Sequence, residues 1–292
     1  MKIGIIGGSG LYQLEDLKNV QEVALDTPFG KPSDAYIQGT LSGIDVFFLT
    51  RHGRGHRVLP AEINHKANIW GFKKLGVEQV FSISAVGSLR EGIHPRDIVL
   101  PDQYFDRTKG SLNHTFFGNG IVGHVSFGDP TCTAMRTIMA KVATEAIHDL
   151  KLGGIVRLHK AGTYVNMEGP AFSTRAESNS YRRQGFDVIG MTSLPEAKLC
   201  REAELCYQSM AMATDYDCWH TDEAEVSVDK IIETLTSNTL LAKEIIRRLV
   251  PVLPETRACA CQHALKYAIM TDMKCVPPAT LEALSPMLAK YR

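Results

Sequence analysis

Strand and helix signals alternate along almost the whole chain, and few architectures satisfy that order. Lys2–Ile6 reads as a buried strand ending in Gly7-Gly8-Ser9-Gly10. Tyr36–Leu41 and Asp45–Leu49 follow as strands around a Ser42-Gly43 turn, with further strand patterns at Val80–Val86, Asp97–Leu100, Gly162–Met167, Asp187–Met191 and Gln208–Thr214. Helical spacing marks Asn64–Leu75, closed by Gly76, then Thr131–Leu152 and Val228–Leu249. Two more helices are expected from near Thr174 and Ser193, where Glu177 and Glu196 complete capping-box patterns. Residues 107–120 lack periodicity and read as a loop, and two short helical segments flank Pro277-Pro278. Apolar strands interleaved with helices predict one α/β domain, a mixed central β-sheet flanked by helices on both faces. It is expected to span residues 1–250, with residues 251–292 a helical extension packed on the same domain.

Charge and cysteine content narrow the classes of function. The 292 residues carry 32 Lys plus Arg and 32 Asp plus Glu, so no basic surplus exists to neutralise nucleic-acid phosphates. No stretch is long and apolar enough to span a bilayer, and the short N-terminal apolar run turns straight into glycines. A soluble cytoplasmic protein that binds neither nucleic acid nor membrane is expected. Seven cysteines, at 132, 200, 206, 218, 259, 261 and 275, do not pair off evenly. Only Cys259-Ala260-Cys261 is closely spaced, with one intervening residue rather than the two of a zinc knuckle. Buried small hydrophobes in a reducing compartment are the favoured reading, and intracellular disulfides the other.

Five strand ends collect polar groups. Gly7-Gly8-Ser9-Gly10 can bring backbone N–H groups and a hydroxyl to an anion, or simply turn. A dinucleotide fingerprint fails there, because its third glycine would fall on Gln13. Arg51-His52-Gly53-Arg54-Gly55-His56-Arg57 offers an Arg fork and an imidazole donor suited to phosphate, though a solvated basic loop is the plainer reading. Gly53 and Gly55 argue against the helix that would align His52 and His56 on a metal. Ser84-Ala85-Val86-Gly87-Ser88 and Met191-Thr192 place hydroxyls after core strands, where ligands gather in α/β sheets. Thr214-Asp215-Tyr216-Asp217 holds two carboxylates that an extended chain would aim the same way. In one pocket they repel and raise one pKa, which suits a general acid facing a ring nitrogen and an exocyclic amine. The plain alternative has Asp215 capping a helix and Asp217 facing water. Anion-binding strand ends beside a carboxylate pair suit an enzyme that joins phosphate to purine chemistry.

The order of Ile5-Ile6-Gly7-Gly8-Ser9-Gly10-Leu11, Arg51-His52-Gly53, Ala67-Asn68-Ile69-Trp70, Gly87-Ser88-Leu89-Arg90, Glu168-Gly169-Pro170, Arg175-Ala176-Glu177, Met191-Thr192 and Ala213-Thr214-Asp215-Tyr216-Asp217-Cys218-Trp219 resembles the 5′-methylthioadenosine phosphorylases. These belong to the trimeric purine nucleoside phosphorylase superfamily. The resemblance implies phosphorolysis of methylthioadenosine to adenine and 5-methylthioribose 1-phosphate, with adenosine a further substrate. It implies phosphate held by Ser9, Arg51, His52, Ser84, the Ala85 N–H and Thr192, and Met191 against the ribose. Asp215 and Asp217 would face N7 and the 6-amino group as the catalytic pair, with Tyr216 between them and Phe172 stacked near the base. Ser173, Val228 and Ile231 match specificity positions, and His124 a residue lent by a neighbouring subunit. No metal or organic cofactor is implied, phosphate being a co-substrate. The partners are a nucleoside, phosphate and further copies of the chain, as a homotrimer or a hexamer built of two trimers. The Cys259–Cys261 tail resembles members that form disulfides, with Cys200 and Cys206 as participants. Ser9 and Ser84 stand where many relatives have Thr, Val86 where Cys is frequent, and the 107–120 loop is shorter than in animal enzymes.

Two other classes compete. A purine nucleoside phosphorylase for 6-oxopurines such as inosine, guanosine or methylthioinosine would present an amide to O6, which a carboxylate pair repels. A non-catalytic nucleotide-binding module would have lost part of the anion site or the acid, and every group is kept here.

Overall fold

The structure, a computed structural model, describes residues 1–8, 10–220 and 228–291, the side chains of 111–112 and 228–233 excepted. Eleven strands form one mixed sheet, and helices cover both of its faces. Strand β1 (Lys2–Gly7) lies parallel between β4 (Ile44–Thr50) and β5 (Gln79–Ser88). β3 (Tyr36–Leu41) joins β4 as a hairpin through Ser42 and Gly43, at φ 52° and 80°. Two successive positive φ values match the right-handed twist of the flanking strands.

β5 is the hub. Its first half pairs with β1, and nearly its whole length runs parallel to β11 (Cys206–Asp215). Its last residues pair antiparallel with β10 (Val188–Gly190), which is parallel to β9 (Thr163–Asn166). β7 (Gln103–Asp106) closes that end beside β9, while β6 (Ile98–Val99) and β8 (Leu158–His159) extend from β11. At the opposite end, β2 (Lys18–Val23) pairs with β3. Its Lys-Asn-Val-Gln-Glu-Val sequence has no buried residue. Polar side chains on an exposed edge discourage further pairing, and they also hide the strand from a reading based on hydrophobic periodicity.

The two largest cores sit on the two faces. On one, α2 (Thr133–Asp149) and α5 (Val228–Leu249) pack Met135, Met139, Val142, Leu241, Ile245 and Ile246 against Ile3, Ile5 and Phe81. On the other, α1 (His65–Lys74) and α4 (Ser193–Glu202) pack with Ile6, Phe47 and Val80, and Leu265, Met287 and Leu288 of the C-terminal segment join them. Each fully buried aliphatic or aromatic side chain contributes about 1.5–3 kcal/mol relative to exposure.

The helix boundaries show local chemistry at work. Asn64 Oδ1 accepts the Ala67 N–H at the start of α1, and Gly76, at φ 80°, closes the helix by donating to Lys73 O. Thr174 and Glu177 form the expected capping box on α3 (Arg175–Arg183). The second expected box does not form. Thr192 is the N-cap of α4 and makes no side-chain cap bond, and Leu194 N–H goes instead to Asn166 Oδ1 at 3.0 Å. Glu196 is drawn away by a stronger partner, described next.

Candidate active site

β1, β4, β5 and β11 are all parallel along β5, so their carboxyl ends share one edge of the sheet. β10 runs back antiparallel along the end of β5 and delivers Thr192 and Ser193 to the level of Ser84, with Ser193 Oγ 3.5 Å from Ser84 Oγ. This crevice is where an open α/β sheet holds its ligand.

Arg51 enters it directly from the end of β4 and is 3% exposed. Its Nε donates to Glu196 Oε1 at 2.5 Å, Nη2 to Glu196 Oε2 at 3.3 Å and Nη1 to Ile83 O at 3.1 Å. Those contacts engage three of five guanidinium N–H groups, and the rest of the fork remains for a ligand. Tyr207 Oη donates to Glu196 Oε2 at 2.8 Å, so Glu196 is itself fixed in place. Burial of Arg51 works against its charge, but the carboxylate beside it keeps the guanidinium ionised.

The basic run 51–57 is less positive than its composition implies. Arg54 is neutralised by Asp34 and Glu22, and Arg57 Nε donates to Arg54 O. Burial, reinforced by the charges of Arg51 and His56, pushes the His52 pKa down to about 4, so the ring is neutral near pH 7. Its Nδ1 is 2.8 Å from Val58 O, a pure acceptor, so Nδ1 holds the proton and Nε2 a lone pair. The imidazole donor expected for phosphate is therefore an acceptor in this tautomer. The His52 and His56 rings stack at 4.4 Å.

At the other side of the crevice, a bulge between Ala213 and Asp215 brings Asp215 opposite Gly87 of β5. Bulges re-aim side chains in this way. Asp215 Oδ2 accepts the Thr214 hydroxyl at 2.7 Å, and Oδ1 accepts the Asp217 N–H at 2.8 Å. The carboxylates are thus brought together by a turn, with Asp217 at φ 51°, rather than by extended chain as expected. Asp215 does not cap a helix as the plainer reading had it: Tyr216 is the N-cap of the 3-10 turn Asp217–Trp219, and no side chain caps that turn. Asp217 is half-buried instead of facing water openly. Its Oδ2 is buried without a hydrogen-bond partner among the described residues, and burial, followed by the Asp215 charge, raises its pKa. A Cβ on Gly87 would stand 3.0 Å from Asp215 Oδ1 and 3.2 Å from Asp217 Cβ. Only glycine leaves room for the pair there.

A buried, counter-charged guanidinium and a protonatable carboxylate pair, bracketing one crevice, can bind an anion and donate a proton. The phosphorylase superfamily model matches residues 2–251. The chain belongs to that superfamily. An S-methyl-5′-thioadenosine phosphorylase of Geobacter sulfurreducens is 53% identical to this phosphorylase over 289 residues, 99% of this chain and 98% of its own. A methylthioadenosine phosphorylase from an antarctic soil metagenomic library superposes with a TM-score of 0.92 at 45% identity, covering 98% of each chain. The Schistosoma mansoni methylthioadenosine phosphorylase in complex with adenine superposes at 0.81 and 34% identity, covering 91% of this chain and 96% of that one.

The phosphorylase gathers Arg51, Ser84, Ala85, Thr192, Asp215 and Asp217 around the end of β5. Met191 is half-buried against Gly169, and Ser173 O accepts the Cys218 thiol at 3.2 Å beside Asp217. Other expected residues lie elsewhere. Tyr216 turns away to pack with Leu89 and Trp219 and stacks on His220. The Phe172 ring is 76% exposed, and His124 lies on the surface of a cleft with Lys266 and Tyr267. Ser9 and the side chains of Val228 and Ile231 fall outside the described residues. Sequence reasoning missed Asn166, which caps α4, and it placed Glu196 in a cap instead of on Arg51.

Proposed function

We propose that this phosphorylase cleaves 5′-methylthioadenosine with inorganic phosphate, releasing adenine and 5-methylthioribose 1-phosphate. The observation that carries the reading is the half-buried pair Asp215–Asp217, joined by a turn and set at the same edge of the sheet as the buried Arg51. The bond from C1′ to the purine N9 breaks, leaving electrons on the base and positive charge on the ribose. One proton held by the carboxylate pair passes to N7, and the remaining carboxylate accepts from the 6-amino group. Phosphate oxygen then bonds to C1′, having first stabilised its cationic character. Arg51, Ser84 and Thr192, with the Ala85 N–H and Ser9, hold that phosphate. His52 Nε2 takes the hydrogen bond of the P–OH group. Met191 supports the ribose, and Phe172, Ser173, Val228 and Ile231 border the base and 5′ pockets.

His124 lies beyond reach of its own crevice in this reading and completes the 5′ pocket of a neighbouring subunit, so the active form is a homotrimer or a hexamer. Neither metal nor organic cofactor takes part in the reaction. Among the described residues no helix is long and apolar enough to cross a membrane, in keeping with a cytoplasmic enzyme. Acceptors facing position 6 favour an amino over an oxo group, so adenine nucleosides are preferred to inosine or methylthioinosine. The test is base release from methylthioadenosine, adenosine, methylthioinosine and inosine, with and without phosphate. Adenine release that needs phosphate and is fastest from methylthioadenosine supports the reading. Hypoxanthine release alone refutes it.

A further inference from the structure

Four cysteine sulfurs meet at the amino end of β11. Cys132, Cys206, Cys259 and Cys261 place their Sγ atoms all within 4.8 Å of one another, three of the residues buried and Cys259 partly so. They come from three separate segments. Cys132 is the N-cap of α2, Cys206 begins β11, and Cys259 and Cys261 lie at the start of a 3-10 turn in the C-terminal segment. The participants differ from those the resemblance implied. Cys200 lies in the other core cluster, and Cys132 takes its place.

All seven cysteines of the structure are free thiols. Cys206 and Cys259 are 3.2 Å apart, well beyond a disulfide bond of about 2.05 Å. Four sulfurs around a metal at about 2.3 Å would be spaced about 3.8 Å apart, and the cluster brackets that value. Two disulfides need only pairs, whereas here each sulfur has three sulfur neighbours.

We infer that these four cysteines form a structural zinc site that fastens the C-terminal segment to β11 and α2. Thiolates select zinc over hard divalent cations, and a four-sulfur shell leaves no position open for catalysis. On binding, each thiol loses its proton to solvent, and the resulting zinc tetrathiolate carries two negative charges. The N-terminus of α2 at Cys132 and the side chains of Arg201 and Lys266 along the adjoining cleft oppose that charge. The site stands apart from the chemistry. Asp215 ends the strand that Cys206 begins, on the order of 30 Å away at about 3.3 Å per residue. The one-residue spacing of Cys259 and Cys261 concealed the site, because its other ligands are remote in sequence.

The test is metal analysis of the full chain, purified without chelator from zinc-replete cells, beside thiol titration. The expected result is about one zinc per chain, released by a mercurial reagent, with the four cluster thiols unreactive in the native protein until that release, whereas the exposed Cys275 reacts at once. Cobalt added to the metal-stripped protein should give the visible bands of a tetrahedral thiolate complex. Cys259→Ser with Cys261→Ser should reduce bound metal to under about a tenth, while Cys275→Ser, exposed and outside the cluster, retains it. Protein that neither carries zinc nor takes up cobalt overturns the inference. So does recovery of thiols only after reduction, which would mean disulfides.

Discussion

Asp217 is a half-buried carboxyl at positive φ, one oxygen shielded from water and a second carboxylate beside it, and its ionised form is disfavoured on both counts. Its folded pKa is raised, so its contribution to stability is full below the ordinary value of 3.8 and is lost as pH rises through the raised value. Asp217→Asn should therefore melt at a higher temperature than the parent near pH 7, and lose that advantage on acidification. The same change should lower kcat/KM by about 10²–10⁴ by breaking up the carboxylate pair proposed to hold the proton. Calorimetry and rates on one preparation check both, and a melting point that falls at neutral pH would contradict the buried charge. His52 has the opposite sign. Its pKa of about 4 means stability present above the ordinary 6.5 and lost as pH falls through about 4. In ligand-free protein its ring resonances should hold still between about pH 5.5 and 8, where an ordinary histidine titrates. A titration near 6.5 would show that the ring is solvated.

The elements that build the crevice act through close backbone approach and one buried ion pair. β5 passes Asp215 and Asp217 at Gly87, where a Cβ would also stand 3.2 Å from Ile189 Cγ2. Gly87→Ala should displace the pair and reduce kcat/KM by about 10²-fold, a cost typical of ångström-scale misplacement, with circular dichroism unchanged. Near-parental activity would mean that the pair tolerates movement. At α4, Glu196→Gln leaves Arg51 buried without its counter-charge and should cost about 3–5 kcal/mol. With phosphate held at Arg51 as proposed, binding only to the folded state and supplying a compensating charge, phosphate should raise the melting temperature of this variant more than that of the parent. An equal shift in both proteins would separate Arg51 from phosphate binding. These elements differ in how openly the sequence announces them. β1, β3, β4 and β5 are apolar runs between turn residues, and Thr174 with Glu177 caps α3 as its spacing suggests. At α4 the same spacing misleads, because a guanidinium 145 residues away outcompetes a local N–H for Glu196.

At the scale of the molecule, the strand-and-helix order dictates the layered architecture, since apolar strands need cover on both faces. The positions of Arg51, Ser84, Thr192, Asp215 and Asp217 were legible because each lies in the carboxyl-terminal half of a core strand or just after it. What joins them was not. The bulge before Asp215, the Asn166 cap and the meeting of four cysteines depend on contacts between residues far apart in sequence, which no local pattern encodes. β2 and β7 escaped for a simpler reason, being short edge strands with polar or half-buried faces. Everything in the crevice serves one claim, that phosphate replaces purine at C1′. Following methylthioadenosine turnover by phosphorus NMR tests it most directly. Inorganic phosphate should disappear in step with adenine formation, one for one, while a sugar 1-phosphate resonance grows. Adenine released at the same rate with no phosphate consumed would make the enzyme a hydrolase and contradict the account.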